Sequence, residues 1–395
     1  MSEIVLPKGF RFAGVVSGLR TEPNRRDVGV IVSDHGCAAA GVFTQNRVCA
    51  APVQVSKARL PHTNTRAIVV CSGNANACTG EQGLTDAKRM TEIVATDLGV
   101  KPEQVLVAST GVIGRPLPMS ILEAGIPKAV AAAKPDAGGF DDFAHSILTT
   151  DTKIKSATVN VSIDGAEYTV LGVAKGAAMI GPNMATMLGF LVTDAGVPAE
   201  ALQLMLRTAV NRSFNRIAVE GHTSTNDCVL ILSNGTTPVP EEDHDLIAEA
   251  INDVCAQLAE QIIYDAEGAN HIIRIIVEGC RTDAEADTIA RAVAGSALVK
   301  TAVFGHDPNW GRVVSAAGFA GVMFDEKDLS LTMGDLLLYD RGTPLPFDAA
   351  EASQYLKDNH EVVFHLKFAL GDGECTFLTS DLTVEYVKLN ADYTT

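Results

Sequence analysis

A layered α/β (α+β) sandwich is the fold class that the 395-residue sequence predicts. Three observations carry this. Short apolar, β-branched runs recur along the chain, amphipathic helical stretches lie between some of them, and strand-to-strand steps alternate with strand-to-helix steps. Hydrophobic residues make up 47% and charged residues 20%, a globular balance that excludes a disordered or coiled-coil chain.

In chain order, the runs that read as strands are RAIVVC (66–71), QVLVAS (104–109), TMLGFLVT (186–193), CVLILS (228–233), HIIRIIVEG (271–279) and EVVFHLKFAL (361–370). TDAKRMTEIVATDLG places Ala87, Met90, Val94 and Leu98 on one helical face and stops at Gly99. DHDLIAEAINDVCAQLAEQII repeats apolar residues at Ile247, Ile251, Val254, Leu258 and Ile262, and DAEADTIARAVAGSALVK reads as a third helix. The sequence contains no internal repeat, low-complexity tract or Pro/Ser-rich linker. It also lacks G-x-x-x-x-G-K-[ST] and a strand-linked G-x-G-x-x-G, which argues against a P-loop or Rossmann cofactor.

The formal net charge of −17 argues against nucleic acid or an anionic membrane as partner. The charge is uneven. Residues 1–185 carry 18 Lys/Arg against 16 Asp/Glu, and residues 186–395 carry 13 against 32. The second part favours cationic small molecules, or is simply a solvated acidic surface. No apolar run reaches the roughly 18–20 residues of a membrane span. The start, MSEIVLPKGF, lacks the basic and apolar regions of a secretory signal. Eight cysteines without a C-x-x-C pair read as reduced core residues, so a cytoplasmic location is expected.

Metal chemistry is not expected, because the nine histidines are scattered without H-x-x-x-H or a Cys/His cluster. No G-x-S-x-G marks a Ser hydrolase of the usual α/β type. Four polar, glycine-bearing segments remain. ASTGVIGRP (108–116) follows an apolar run, and its Thr-Gly pair can aim a hydroxyl and an N–H at one point, as an oxyanion hole requires; otherwise it is a strand-ending turn. TTDTKIK (149–155) and VEGHTSTND (219–227) either bind a small polar ligand or satisfy their own backbone through Asx- and Ser/Thr-turns. In YDAEGANH (264–271), Glu267 follows a helix C-terminus, where the dipole does not stabilise an acid.

KGAAMIGPNMATMLGF (175–190) holds one hydroxyl in its apolar second half, Thr186. It reads either as a β-branched residue of a buried strand or as a nucleophile. A threonine hydroxyl needs an adjacent base. Its own α-amino group, with a reference pKa near 7.7–8.0, serves once the Ala185–Thr186 bond is cut. The hydroxyl can make that cut itself by attacking the carbonyl of Ala185.

Together these segments resemble the bifunctional glutamate N-acetyltransferase/ornithine acetyltransferase family of arginine biosynthesis. The resemblance runs end to end, through GFRFAGVVSGLR, AGVFTQNRVCAAPV, SGNANACTG, STGVIGRPLP, TTDTKIK, KGAAMIGPNMATML, SFNRIAVEGHTSTND, DAEGA, LVKTAVFGHDPNWGRV and NADYTT. It implies a sandwich similar to N-terminal-nucleophile hydrolases but wired differently. It also implies self-cleavage into an α chain (1–185) and a β chain (186–395) that stay together as an α2β2 heterotetramer. The implied reaction is ping-pong: Thr186 accepts the acetyl group of N2-acetylornithine, releases ornithine and passes the acetyl group to glutamate. No cofactor is implied, although many members also use acetyl-CoA as donor. Carried over by position, Thr110 and Gly111 are the oxyanion hole. Thr152, Lys175, Thr186, Glu267, Asn390 and Thr395 are substrate contacts, with Thr150 the competitor to Thr152.

The sequence departs from the family pattern at Cys71, His222, Asn270 and His271, which leaves the nucleophile, the oxyanion pair and Glu267 in place. A self-processing aminopeptidase or amidase, with water as acceptor, is the alternative. A non-enzymatic amino-acid-binding or scaffold protein is the third reading.

Overall fold

The computed structural model describes residues 4–181 and 187–392. Ala185, Thr186 and Thr395 lie outside the described residues. The chain divides into two compact units, one comprising Met1–Asn215 and His222–Ile262, the other Arg216–Gly221 and Ile263–Tyr393.

The first unit contains strands β1 (Phe10–Val15), β2 (Val28–Phe43), β3 (His62–Asn74), β4 (Val105–Val112), β5 (Lys155–Ile163), β6 (Ala166–Lys175), β7 (Leu188–Gly196) and β9 (Cys228–Pro238). Its helices are α1 (Ala51–Lys57), α2 (Gly80–Leu98), α3 (Met119–Ala132), α4 (Ala137–Ser146), α5 (Ala199–Arg212) and α6 (His244–Ile263). The sheet order is β4-β3-β2-β9-β7-β6-β5, with β1 paired to β2. The long strand β2 serves two partners. Val28–Val32 pair with β3, the register breaks between Val32 and Cys37, and Ala38–Phe43 pair with β9.

Both halves of the sheet contribute to one core. Phe12, Ile31, Ile68 and Leu106 come from one half, and Val173, Phe190 and Leu230 from the other. Phe143 of α4 meets Phe190 edge-on at 5.6 Å. The alternate residues of β3, Ala67, Val69 and Cys71, face α2 and α3 through Met90, Val94 and Ile126. Both faces of β3 are therefore buried, which explains why RAIVVC is continuously apolar rather than alternating. Helix α6 covers β6 so closely that a Cβ on Gly172 would lie 2.5 Å from Val254.

The second unit contains β8 (Ile217–Ala218), β10 (Ile272–Cys280), β11 (Leu329–Met333), β12 (Leu336–Asp340), β13 (Thr343–Pro344), β14 (Glu361–Phe368) and β15 (Gly373–Ser380). They lie in the order β13-β12-β11-β14-β10-β15-β8. The helices are α7 (Asp283–Ala294), α8 (Ala297–Phe304), α9 (Trp310–Gly318), α10 (Ala349–Asp358) and α11 (Val384–Asp392). The side chains Ile289 and Val293 of α7 join Ile275 and Val277 of β10 in its core.

The α/β layered fold is the one expected, and all six apolar runs contribute strands. One helix is corrected. DAEADTIARAVAGSALVK forms two helices, because Gly295 ends α7 and the Ser296 side chain accepts from the Val299 N–H to cap α8. All eight cysteines are free thiols, and six of them are buried. No helix among the described residues is long and apolar enough to cross a membrane.

Phe190 is 1% exposed at the centre of the first core. Phe190→Ala removes a ring from a closed layer and is expected to cost about 3–5 kcal/mol. Chemical denaturation of both proteins checks it.

Candidate active site

The candidate residues fall in both units. In the first, Thr110 and Gly111 end β4 opposite Ser72 and Gly73 of β3. Thr110 is buried. Gly111 has φ +131°, and a Cβ there would lie 2.3 Å from the carbonyl carbon of Gly73, so the position admits only glycine. The turn is fixed from a distant segment. The Asn226 amide donates to the carbonyls of Ala75, at 2.6 Å, and Ser109, at 2.9 Å. The Ser109 hydroxyl also donates to the carbonyl of Ala75 at 2.6 Å. VEGHTSTND thus bonds to the backbone beside the Thr110 turn, an outcome its sequence left open. His222 in the same segment is exposed.

Lys175 ends β6 opposite Leu188, the first residue of β7. It is 2% exposed. Burial pulls the Lys175 ammonium down, and Asp151 opposes that shift. Asp151 organises the TTDTKIK segment. Its Oδ1 accepts from Lys155 Nζ and from the Gly176 N–H, both at 2.6 Å, and its Oδ2 accepts from the Thr149 N–H at 3.0 Å. Burial alone would raise this carboxyl, but Lys175, Lys155 and the Thr149 amide outweigh it and lower it to about 2. Thr152 is exposed and Thr150 half-buried. Sequence reasoning passed over Asp151 and Lys155; their separation of four residues inside a polar cluster was the available signal.

In the second unit, Glu267 lies in the loop between α6 and β10, half-buried. The Asn390 amide of α11 donates to Glu267 Oε2 at 3.3 Å, so two residues carried over by position meet. Asp381 holds this loop. Its Oδ1 accepts from the Asn270 N–H at 2.9 Å, its Oδ2 faces His271 Nδ1 at 2.8 Å, and its own N–H donates to the carbonyl of His271 at 3.0 Å. The Thr383 hydroxyl donates to the carbonyl of Gly268. His271 is buried and meets His306 edge-on at 5.4 Å. The departure at His271 is therefore an interior residue hydrogen-bonded to Asp381. Neither Asp381 nor Thr383 carried a signal in the sequence.

The model of the ArgJ family matches residues 11–395. The chain belongs to the ArgJ family. Among its relatives is the arginine biosynthesis bifunctional protein ArgJ of Symbiobacterium thermophilum, 46% identical over 99% of this chain and 98% of that protein. The protein of that name from Bacillus subtilis is 43% identical over 100% of this chain and 97% of its own length. A crystal structure of the arginine biosynthesis bifunctional protein ArgJ from Bacillus halodurans matches at 36% identity with a TM-score of 0.50. It covers 52% of this chain and 98% of that chain.

Asp151 supplies a pH test. Its folded value lies below the unfolded one, so its stabilisation is complete above about pH 4 and is lost as pH falls through about 2. The drop from 3.8 to about 2 corresponds to about 2 kcal/mol. Asp151→Asn should be less stable than the parent at pH 7, and the gap should shrink between pH 4 and 2 in denaturant titrations.

Proposed function

We propose that this protein transfers the acetyl group of N2-acetylornithine to glutamate, giving ornithine and N-acetylglutamate, with Thr186 as the acetyl carrier. The observation that carries this reading is the end-to-end match to relatives named arginine biosynthesis bifunctional protein. The hydroxyl of Thr186 attacks the acetyl carbonyl, the Thr110 hydroxyl and the Gly111 N–H receive the developing oxyanion, and ornithine leaves as the amine. Glutamate's amine then attacks the acetyl-threonine ester and restores the hydroxyl. Lys175 offers a cation for the substrate carboxylate. Glu267 and Asn390, with Thr152 and Thr395, complete the substrate contacts. Acetyl-CoA is the second donor this reading admits, and no cofactor is needed.

The same reading includes self-cleavage at Ala185–Thr186 into chains 1–185 and 186–395, assembled as an α2β2 heterotetramer. The sheet supports two pieces that hold together. Strand β6, before the junction, pairs with β7, after it, from Lys175↔Leu188 to Val170↔Thr193. Strand β9 in turn pairs with β2. Strands of the first piece would flank those of the second on both sides.

Thr186→Ala should give one uncleaved chain without acetyl transfer, read on a denaturing gel and by ornithine release. The parent should give two bands, the second beginning Thr-Met-Leu-Gly. Thr110→Ala should slow acyl transfer about 10²–10³-fold. A loss below about threefold would assign the oxyanion donor elsewhere. Acetyl release that proceeds equally without glutamate would favour the amidase reading.

A further inference from the structure

Two buried asparagine amides grip the turn that carries Thr110 and Gly111, one at each end, and neither belongs to the chemistry proposed above. At the near end, Asn226 Nδ2 donates to the carbonyls of Ala75 at 2.6 Å and Ser109 at 2.9 Å, with the Ser109 hydroxyl oxygen 3.2 Å away. At the far end, Asn74 Nδ2 donates to the carbonyls of Arg115 at 3.2 Å and Pro116 at 3.1 Å. The motifs SGNANACTG and HTSTND thus converge on STGVIGRP.

The strand ladder alone does not hold this turn. Strands β3 and β4 pair in step as far as Gly73 opposite Gly111, and the register then breaks at Asn74. Gly111, with its positive φ, lies where the ladder ends. Asn226 arrives there on a fixed backbone. The Thr44 hydroxyl donates to the carbonyl of Ser224 at 2.7 Å, the Ala50 N–H to that of Thr225 at 2.9 Å and the Thr44 N–H to that of Asp227 at 3.0 Å. The face of the amide is fixed as well, because its Oδ1 accepts from the Thr225 hydroxyl at 2.6 Å. Its nitrogen therefore meets the two carbonyls, and a primary amide has two N–H groups to give them. The Ser109 carbonyl belongs to the planar peptide group whose nitrogen is that of Thr110. A hydrogen bond to that oxygen sets the tilt of the plane, and with it the direction in which the Thr110 side chain leaves.

We propose that Asn226 is a positioning residue for acetyl transfer, fixing the Ser109–Thr110 peptide so that the Thr110 hydroxyl and the Gly111 N–H converge on one point; this rests on the oxyanion reading above. Asn226 touches no reacting atom in this role and acts through Thr110. An oxyanion donor contributes most when it is already aimed, because no reorganisation is then required at the moment of reaction. A misplacement of about 1 Å costs about 10²-fold in rate.

The test measures kcat and KM for N2-acetylornithine at saturating glutamate, per cut chain as counted on denaturing gels. It compares the full-length parent, Asn226→Asp, Asn226→Ala, Thr110→Ala and the Asn226→Asp, Thr110→Ala double variant, with circular dichroism of each. Asn226→Asp keeps the side chain's size and sets an acceptor oxygen against the two carbonyls. It should lower kcat about 10–10²-fold while KM moves less than about threefold. In the Thr110→Ala background the same substitution should cost less than about threefold, because its effect runs through Thr110. Equal losses in both backgrounds, or a raised KM with kcat unchanged, would overturn the proposal. A slowed Thr110→Ala beside a full-rate Asn226→Asp would overturn this role alone. A Thr110→Ala as fast as the parent would overturn the oxyanion reading and this role with it, and a parent without acetyl transfer would overturn the functional reading itself. A folded Asn226→Asp that stays uncut would place Asn226 in chain cleavage and overturn the role. Should Asn226→Asp fail to fold, Asn226→Ala is read by the same criteria, and failure of both to fold makes Asn226 structural and overturns the proposal.

Discussion

The register between β7 and β9 is the constraint on which the first half of the site depends. With Leu188 opposite Cys228, Asp227 meets the Met187 amide, and Asn226, one residue earlier, reaches Ser109 and Ala75. A slip of one residue would turn both strands' alternation inside out, taking Phe190 and Leu230 from the core they share. The packing of large apolar side chains therefore fixes the position of small polar ones. Hydrophobic burial sets the register, and the register aims Asn226 at the carbonyl just before Thr110.

Charge in this part of the molecule is scarce and buried. Lys155, Lys175, Asp151 and Asp227 are each no more than 8% exposed, where an unpaired ion would be costly. Asp151 resolves the problem by facing two lysines and two backbone N–H groups, and it stays ionised. Asp227 lies at the other extreme: burial drives its carboxyl well up, and the Met187 amide, Ser224 and Lys175 oppose that only in part. Two aspartates influenced by the same Lys175 are thus driven in opposite directions. Both are desolvated, and the separation goes with the charge of Lys155, which Asp151 faces in addition to Lys175.

The sequence is legible wherever a signal is local. Apolar runs such as CVLILS announce β9, and Gly99 ends α2 as its pattern requires. Strand β2 was opaque because its second half, CAAAGVF, is built of small residues that pair with β9 yet lack the β-branched run of a typical strand. The break between α7 and α8 was hidden by a Gly-Ser pair inside an otherwise apolar periodicity. The site divides along the same line. Thr110, Gly111 and Glu267 stand out through their neighbours in sequence, whereas the roles of Asn226 and Asp381 are defined by partners more than 100 residues away. Nothing in a local reading of STND says that its amide closes onto Ser109, 117 residues earlier.

The interleaving of strands bears on how the proposed cut at residues 185–186 would be tolerated. A nick in a chain costs little when the segments on both sides are anchored by other contacts, because each end has already lost its conformational freedom. Before the junction, β6 is bound to β5 on one edge and to β7 on the other. After it, β7 is bound to β6 and to β9, with Phe190 in the shared core. Each ladder would survive the loss of one peptide bond with its hydrogen bonds unchanged. The interface between the pieces would be the interior of a domain, with its area and apolar character, rather than a surface that must find its partner again.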